Sequence, residues 1–202
     1  FTALAAGAAD PVEGGDYQRI DPPVATSDTN RIVVTQFFSY QCPHCDKFEK
    51  PFNAWAAKQP ADVKVERAAV AIGHAAWQPA AVAYYALSSM KAVPAIDEAF
   101  FAAIHREGKP LASESAIADW VATQGIDRAK FLEAYRSFGV QVKAKRADSL
   151  SRDVRLPSIP SLVVNGKYLV PIADDGDFGD QLAVVDALVA RERAAQAKAS
   201  GP

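Results

Sequence analysis

The sequence predicts an α/β chain with a long all-helical stretch set into its middle. Three observations carry this reading. Between Arg31 and Val70 a buried-strand pattern, an amphipathic-helix pattern and a second strand pattern follow one another. From about Ala75 to Arg152 only helical periodicity occurs. After Pro160 two short strand signals precede a last helix, so the layout is β-α-β, helical insert, β-β-α.

Residues 1–16 are rich in Ala, Gly and Asp and read as an unstructured, flexible N-terminus. Arg31 to Tyr40 is β-branched and aromatic with a nearly continuous apolar run, as suits a strand buried on both faces. A helix is expected over Asp46 to Lys58, where Phe48, Phe52, Trp55 and Ala56 fall on one face. Asp62 to Val70 opens as an alternating strand, and the short crossover between the two strands implies that they run parallel. Four amphipathic helices are expected next: Trp77 to Met90, Ala95 to His105, Ser113 to Gln124 and Arg128 to Asp148. Ser113 and Asp127 are candidate N-caps, and Gly108-Lys109-Pro110 and Gly125 punctuate the segments. Ser161 to Val164 and Lys167 to Val170 flank Asn165-Gly166, a pair that accepts the positive φ of a type I′ hairpin turn. The last helix spans about Phe178 to Ala195, with Leu182, Val185, Leu188 and Val189 on its apolar face.

Half of the 202 residues are hydrophobic and 23% are charged, enough to bury a sizeable core. A net charge of −2 without a Lys/Arg cluster argues against a nucleic-acid surface. No apolar run approaches the roughly 20 residues of a membrane span. The chain starts at Phe1 rather than Met, and the small apolar stretch Phe1 to Ala9 resembles the end of a signal peptide, so an exported, processed protein is expected.

The only two cysteines lie in Cys42-Pro43-His44-Cys45. Placed between the buried strand and the helix, Cys42 falls at the helix N-terminus, where free N–H groups and the macrodipole favour an anion. Pro43 enters the first turn, where its missing N–H costs nothing. Cys45 lies on the same side and within disulfide reach. Cys42 is therefore expected to be the exposed nucleophilic thiolate and Cys45 the buried resolving thiol. His44 can add a hydrogen bond or a positive charge near the Cys42 sulfur. Each pKa unit of thiolate stabilisation corresponds to about 1.4 kcal/mol, or about 30 mV in a two-electron couple. Zinc would need about four ligands, and His74 and His105 are remote in sequence. A structural disulfide closing so short a loop would constrain the unfolded chain little.

The segment TQFFSYQCPHCDKFE, followed far downstream by SIPSLVVNGKYLV, resembles the DsbA family of periplasmic thiol:disulfide oxidoreductases across residues 17–195. The resemblance implies a thioredoxin fold with an all-helical domain inserted. It places the thioredoxin-like domain at residues 17–74 and 153–198 and the helical insertion at 75–152. It implies a dithiol oxidase whose redox-active centre is the Cys42–Cys45 disulfide, with no metal or organic cofactor. It further implies a monomer in the periplasm, acting on exported proteins and reoxidised by a DsbB-like, quinone-linked membrane partner. By resemblance Pro160 is a cis-proline packed on the cysteines, and Ile159 offers its backbone to an extended substrate; without it, Pro160 reads as an ordinary trans-proline turn. Glu49 and Arg67 match two members of a charged group beneath the site. Gln36 departs from the family, standing where a buried Glu is thought to move a proton to or from the buried thiol; Gln cannot ionise.

Other features read more plainly. His74 and His105 belong with packing, and Trp77, Tyr84, Tyr85, Phe100 and Phe101 with the core of the insert. Phe37, Phe38 and Tyr40 read as buried in the sheet. Asp174, Asp175 and Asp177 lack calcium-loop spacing and read as a solvated turn. Two rival functions stay open: a disulfide isomerase or reductase, and a peptide-binding, chaperone-like module whose disulfide is only structural.

Overall fold

The computed structural model describes residues 10–172 and 178–199; Phe1 to Ala9 and the Asp174, Asp175, Asp177 run lie outside the described residues. The architecture is a five-stranded mixed sheet flanked by helices on both faces, built from β1 (Gln18–Arg19), β2 (Ile32–Phe38), α1 (Pro43–Ala56), β3 (Val63–Ala69), α2 (Gln78–Ser89), α3 (Val93–His105), α4 (Glu114–Thr123), α5 (Arg128–Arg136), α6 (Phe138–Asp153), β4 (Ser161–Val164), β5 (Tyr168–Pro171) and α7 (Phe178–Ala199). The strand order is β1-β5-β4-β2-β3.

All seven residues of β2 are buried, as its continuous apolar pattern requires. β2 pairs in parallel with β3 along one edge and antiparallel with β4 along the other. Its two faces serve different layers. Ile32 and Val34, with Leu162, Val164 and Val170, pack against Phe48 and Phe52 of α1 and Leu182, Val185, Leu188 and Val189 of α7. Phe37, Phe38, Val163 and Leu169 share a second core with helices α2 to α6. Residues 80–87 of α2 are all buried, so this helix is the axis of the helical segment. The sheet and the helical segment therefore share one apolar core.

The two predicted N-caps are present: Ser113 accepts from the Ala116 N–H and Asp127 from the Lys130 N–H. The predicted helix over Arg128 to Asp148 is instead two, α5 and α6. They divide at Ser137, which adopts an extended conformation, donates its hydroxyl to the Ala134 carbonyl (2.7 Å) and accepts from the Val140 N–H (3.4 Å). Apolar periodicity passes through such a break because the next helix restarts within one residue. The unstructured N-terminus expected through residue 16 ends earlier, because Val12 to Asp16 closes a turn: the Asp16 N–H donates to the Val12 carbonyl and the Val12 N–H to the Asp16 carboxylate. Tyr17 is then buried edge-on against Tyr168, and β1 joins the sheet beside β5. A two-residue strand carries too little pattern to be read from sequence.

At the β4–β5 hairpin Asn165 and Gly166 take φ of 50° and 66°, as a type I′ turn demands. A Cβ on Gly166 would meet the Val24 carbonyl oxygen at 2.1 Å, because Val24 hydrogen-bonds across the turn to the Gly166 carbonyl. Gly125 also has a positive φ, but a Cβ there would meet nothing within 4 Å. Chemical denaturation should separate the two effects. Gly125→Ala should cost about 1–2 kcal/mol, the left-handed penalty alone. Gly166→Ala should cost clearly more, because backbone must also move.

Candidate active site

The chain leaves β2 at Phe38, and Cys42, with extended backbone, becomes the N-cap of α1 with Pro43 in its first turn. The Cys42 carbonyl accepts from the N–H groups of Cys45 (3.1 Å) and Asp46 (3.2 Å), which winds the first turn of the helix. Both cysteines are free thiols. The Ile159–Pro160 peptide is cis, and the Ile159 carbonyl accepts from Cys42 Sγ at 3.6 Å. The turn before β4 is therefore set against the Cys42 thiol although the two lie 117 positions apart in sequence. Asp21–Pro22 is a second cis peptide, which no sequence feature signalled.

The expectation of an exposed Cys42 is corrected: the residue is 3% exposed, against 0% for Cys45. The Ile159 carbonyl lies against the sulfur. Electrostatics nevertheless separate the two thiols. Cys42 is lowered from the ordinary thiol value to about 7. The largest cause is the hydrogen bond from the Cys45 side chain; burial opposes it, and the N–H groups of Cys45 and His44 and then the His44 charge assist. His44 is exposed, and its side chain acts through charge as the least of these influences. Cys45 is pushed well above the ordinary value, by burial first, then by its bond to Cys42 and the Cys42 charge. One thiol is thus a ready thiolate and the other holds its proton, which is the arrangement a helix N-terminus favours for its first cysteine.

Beneath the cysteines lies a buried charged cluster centred on Arg67 of β3. Its guanidinium donates to Gln36 Oε1 (2.8 Å) on β2, to a Glu49 oxygen (2.8 Å) on α1 and to an Asp97 oxygen (2.5 Å) on α3. It also lies over the Phe38 ring, 4.0 Å from its centroid. Glu49 is one turn beyond Cys45 on α1 and accepts from Asn53 Nδ2 at 2.8 Å. Glu49 is raised to about 8: burial is the largest cause, Arg67 opposes it, and the hydrogen bond and charge of Asp97 add to the rise. Burial disfavours the charge on Arg67, but Asp97 and Glu49 outweigh it and hold Arg67 above its ordinary value. The Gln36 amide oxygen faces Arg67, while its buried Nε2 has no hydrogen-bond partner.

The structure thus brings together Cys42, Pro43, His44, Cys45, Ile159 and Pro160 at one end of the sheet, with Gln36, Glu49 and Arg67 beneath. Asp97 was missed. It lies in an ordinary amphipathic helix, and only the fold carries that helix to β3. Tyr40 is fully buried and donates its hydroxyl to Asp97, while its carbonyl is bonded by His105 Nε2 at 2.7 Å. His105 thereby anchors the loop two residues before Cys42. His74 lies with Trp77, ring centroids 4.5 Å apart. Among the described residues no cluster of His, Cys, Asp and Glu could hold a metal ion, and no helix is long and apolar enough to cross a membrane.

Residues 33–183 match the family model of the DSBA-like thioredoxin domain. The chain belongs to this family. It is 36% identical over 195 residues to the thiol:disulfide interchange protein DsbA of Pseudomonas aeruginosa, covering 96% of this chain and 92% of that protein. The corresponding protein of Azotobacter vinelandii is 36% identical over 183 residues, covering 91% and 85%. A crystal structure of Pseudomonas aeruginosa DsbA superposes with a TM-score of 0.85 at 35% identity, covering 90% of this chain and 94% of that one. The oxidoreductase DsbA of Xylella fastidiosa gives 0.84 at 32%, covering 91% and 98%. The thioredoxin fold with a helical insertion, expected from the sequence, is the fold these structures share with this chain.

If the Cys45 hydrogen bond dominates at Cys42, Cys45→Ala should raise the Cys42 pKa from about 7 towards that of a free thiol. Ultraviolet thiolate absorbance against pH checks this. Because the folded value lies below the unfolded one, the Cys42 contribution to stability of the reduced protein is present above the unfolded pKa and is lost as pH falls through about 7.

Proposed function

We propose that this thiol:disulfide oxidoreductase works as a dithiol oxidase, donating the Cys42–Cys45 disulfide to exported proteins. The observation that carries the direction is the opposite displacement of the two thiols. A Cys42 thiolate stabilised only in the reduced form favours reduction of the enzyme's own disulfide, and so oxidation of the substrate. A substrate thiolate attacks Cys42 Sγ, the enzyme S–S bond breaks, and Cys45 leaves with the electron pair and takes up a proton. A second substrate thiolate then attacks the substrate sulfur of the mixed disulfide, and Cys42 leaves as the stabilised thiolate. Ile159 and Pro160 would present backbone beside Cys42 for an extended substrate strand. Pro43 sets the first turn of α1, and His44 adds positive charge.

We assign proton supply for Cys45 to Glu49, with Arg67 holding its carboxyl and Gln36 only ordering Arg67. Residues 17–74 and 153–198 are proposed as the thioredoxin-like unit and 75–152 as the inserted helical unit. Kinship with thiol:disulfide interchange proteins supports a monomer in the periplasm, delivered by a signal peptide. It also supports reoxidation by a DsbB-like quinone-linked membrane partner and operation without metal or organic cofactor.

Equilibration with glutathione tests the direction. An oxidase should equilibrate at a potential well above thioredoxin's, whereas a value as low as thioredoxin's would make it a reductase. Cys42→Ala should abolish oxidation of a dithiol peptide; retained function would point to a binding module with a structural disulfide. Gln36→Ala should leave the pH dependence of exchange nearly unchanged. A large loss at neutral pH would overturn the assignment of proton supply to Glu49 with Gln36 only ordering Arg67.

A further inference from the structure

One cation, Arg67, faces two carboxyl groups in the buried cluster. Glu49 and Asp97 come from different helices, are 6% and 8% exposed, and both accept from the same guanidinium. If both were ionised the cluster would carry a net negative charge beside the cysteines, an unfavourable state at that depth. One carboxyl is expected to keep a proton, and the bonding decides which. Asp97 accepts from Arg67 and from the Tyr40 hydroxyl, which bonds best to a carboxylate. Glu49 accepts from Arg67 and from the weaker neutral donor Asn53. Glu49 also lines a groove of about 480 Å³ between α1 and α3, shared with Asp46, Lys50, Glu98 and Arg106, which opens it to solvent.

We infer that Asp97, supplied by the helical segment, is a positioning residue for the redox pair: bonded to the same Arg67 guanidinium as Glu49, it keeps a proton on Glu49, one turn from Cys45. The inference rests on the oxidase reading above for its catalytic consequence, not for the proton's location. When the enzyme disulfide is reduced, the leaving Cys45 thiolate takes the proton from the Glu49 carboxyl. The Glu49 carboxylate regains one from solvent through the α1–α3 groove. The overall exchange takes two electrons from the substrate dithiolate and one proton from water, leaving Cys42 as thiolate and Cys45 as thiol.

The other groups around Glu49 do not supply this effect. Lys50 and Arg106 are exposed, and Arg106 is paired with Asp46 at 3.0 Å. Glu98 is on the exposed rim, where water screens it. Tyr84 is held above its ordinary value by burial and stays neutral. On α7, Asp186 is engaged by Trp55 Nε1 at 2.8 Å, further along α1.

The test follows Glu49 protonation by the carboxyl carbon shift in NMR, on the full chain. The expected midpoint in the unmodified protein is near 8. Asp97→Asn should lower it by at least one unit, and Asp97→Glu, which keeps the charge, should restore it. In peptide oxidation, Asp97→Asn should move the alkaline fall in rate to lower pH by the same amount. A Glu49 already ionised at pH 6 in the unmodified protein overturns the inference without any variant. So does an Asp97→Asn midpoint that does not move. If the midpoint moves as expected but the unmodified protein fails to oxidise a dithiol peptide, the proton pair stands and the oxidase reading falls.

Discussion

The buried guanidinium of Arg67 is the interaction on which the site depends. It bonds the central strand, the active-site helix and the helical segment to the same group, through Gln36, Glu49 and Asp97. Burying a cation is tolerable only with partners, and burying two acids only with a cation. Removing one partner from a buried pair typically costs about 3–5 kcal/mol, because it leaves an uncompensated charge. The cluster therefore fixes where α1 and α3 stand relative to β2 and β3. The stacked Tyr40 and Phe100 rings, 4.2 Å apart, and the Arg67–Phe38 contact pack aromatic surface at the same junction.

That placement has a chemical result. With α1 held over the end of β2, its N-terminal N–H groups converge on Cys42, while Cys45 points into the core. Identical thiols three residues apart consequently differ in proton affinity. The Ile159 carbonyl lies against the Cys42 sulfur, and Cys42 is buried.

The cluster also changes what Gln36 means. Taken alone, an amide in place of an acid suggests a lost proton carrier. In the fold the amide oxygen simply completes the coordination of Arg67, and a second carboxylate arrives from α3. The balance of charge beneath the cysteines is restored from another part of the chain.

Much of this was legible in the residues themselves. The continuous apolar run of β2, the 3.6-residue stripe of α1, the Asn165-Gly166 turn and the caps Ser113 and Asp127 are local patterns, and the structure reproduces them. Cys42 and Cys45 were identifiable because their chemistry is written in four consecutive residues. The break at Ser137, the two-residue β1 and the turn at Val12 to Asp16 were not, since each is decided by a pair of hydrogen bonds or a distant strand edge. The burial of Cys42 and the meeting of Asp97 with Arg67 depend on contacts 117 and 30 residues apart in sequence. Local pattern determines which segments form helices and strands and where the reactive thiols lie. Which acids share a cation is settled only by packing, because charge balance in a buried site is a property of the space and not of the chain.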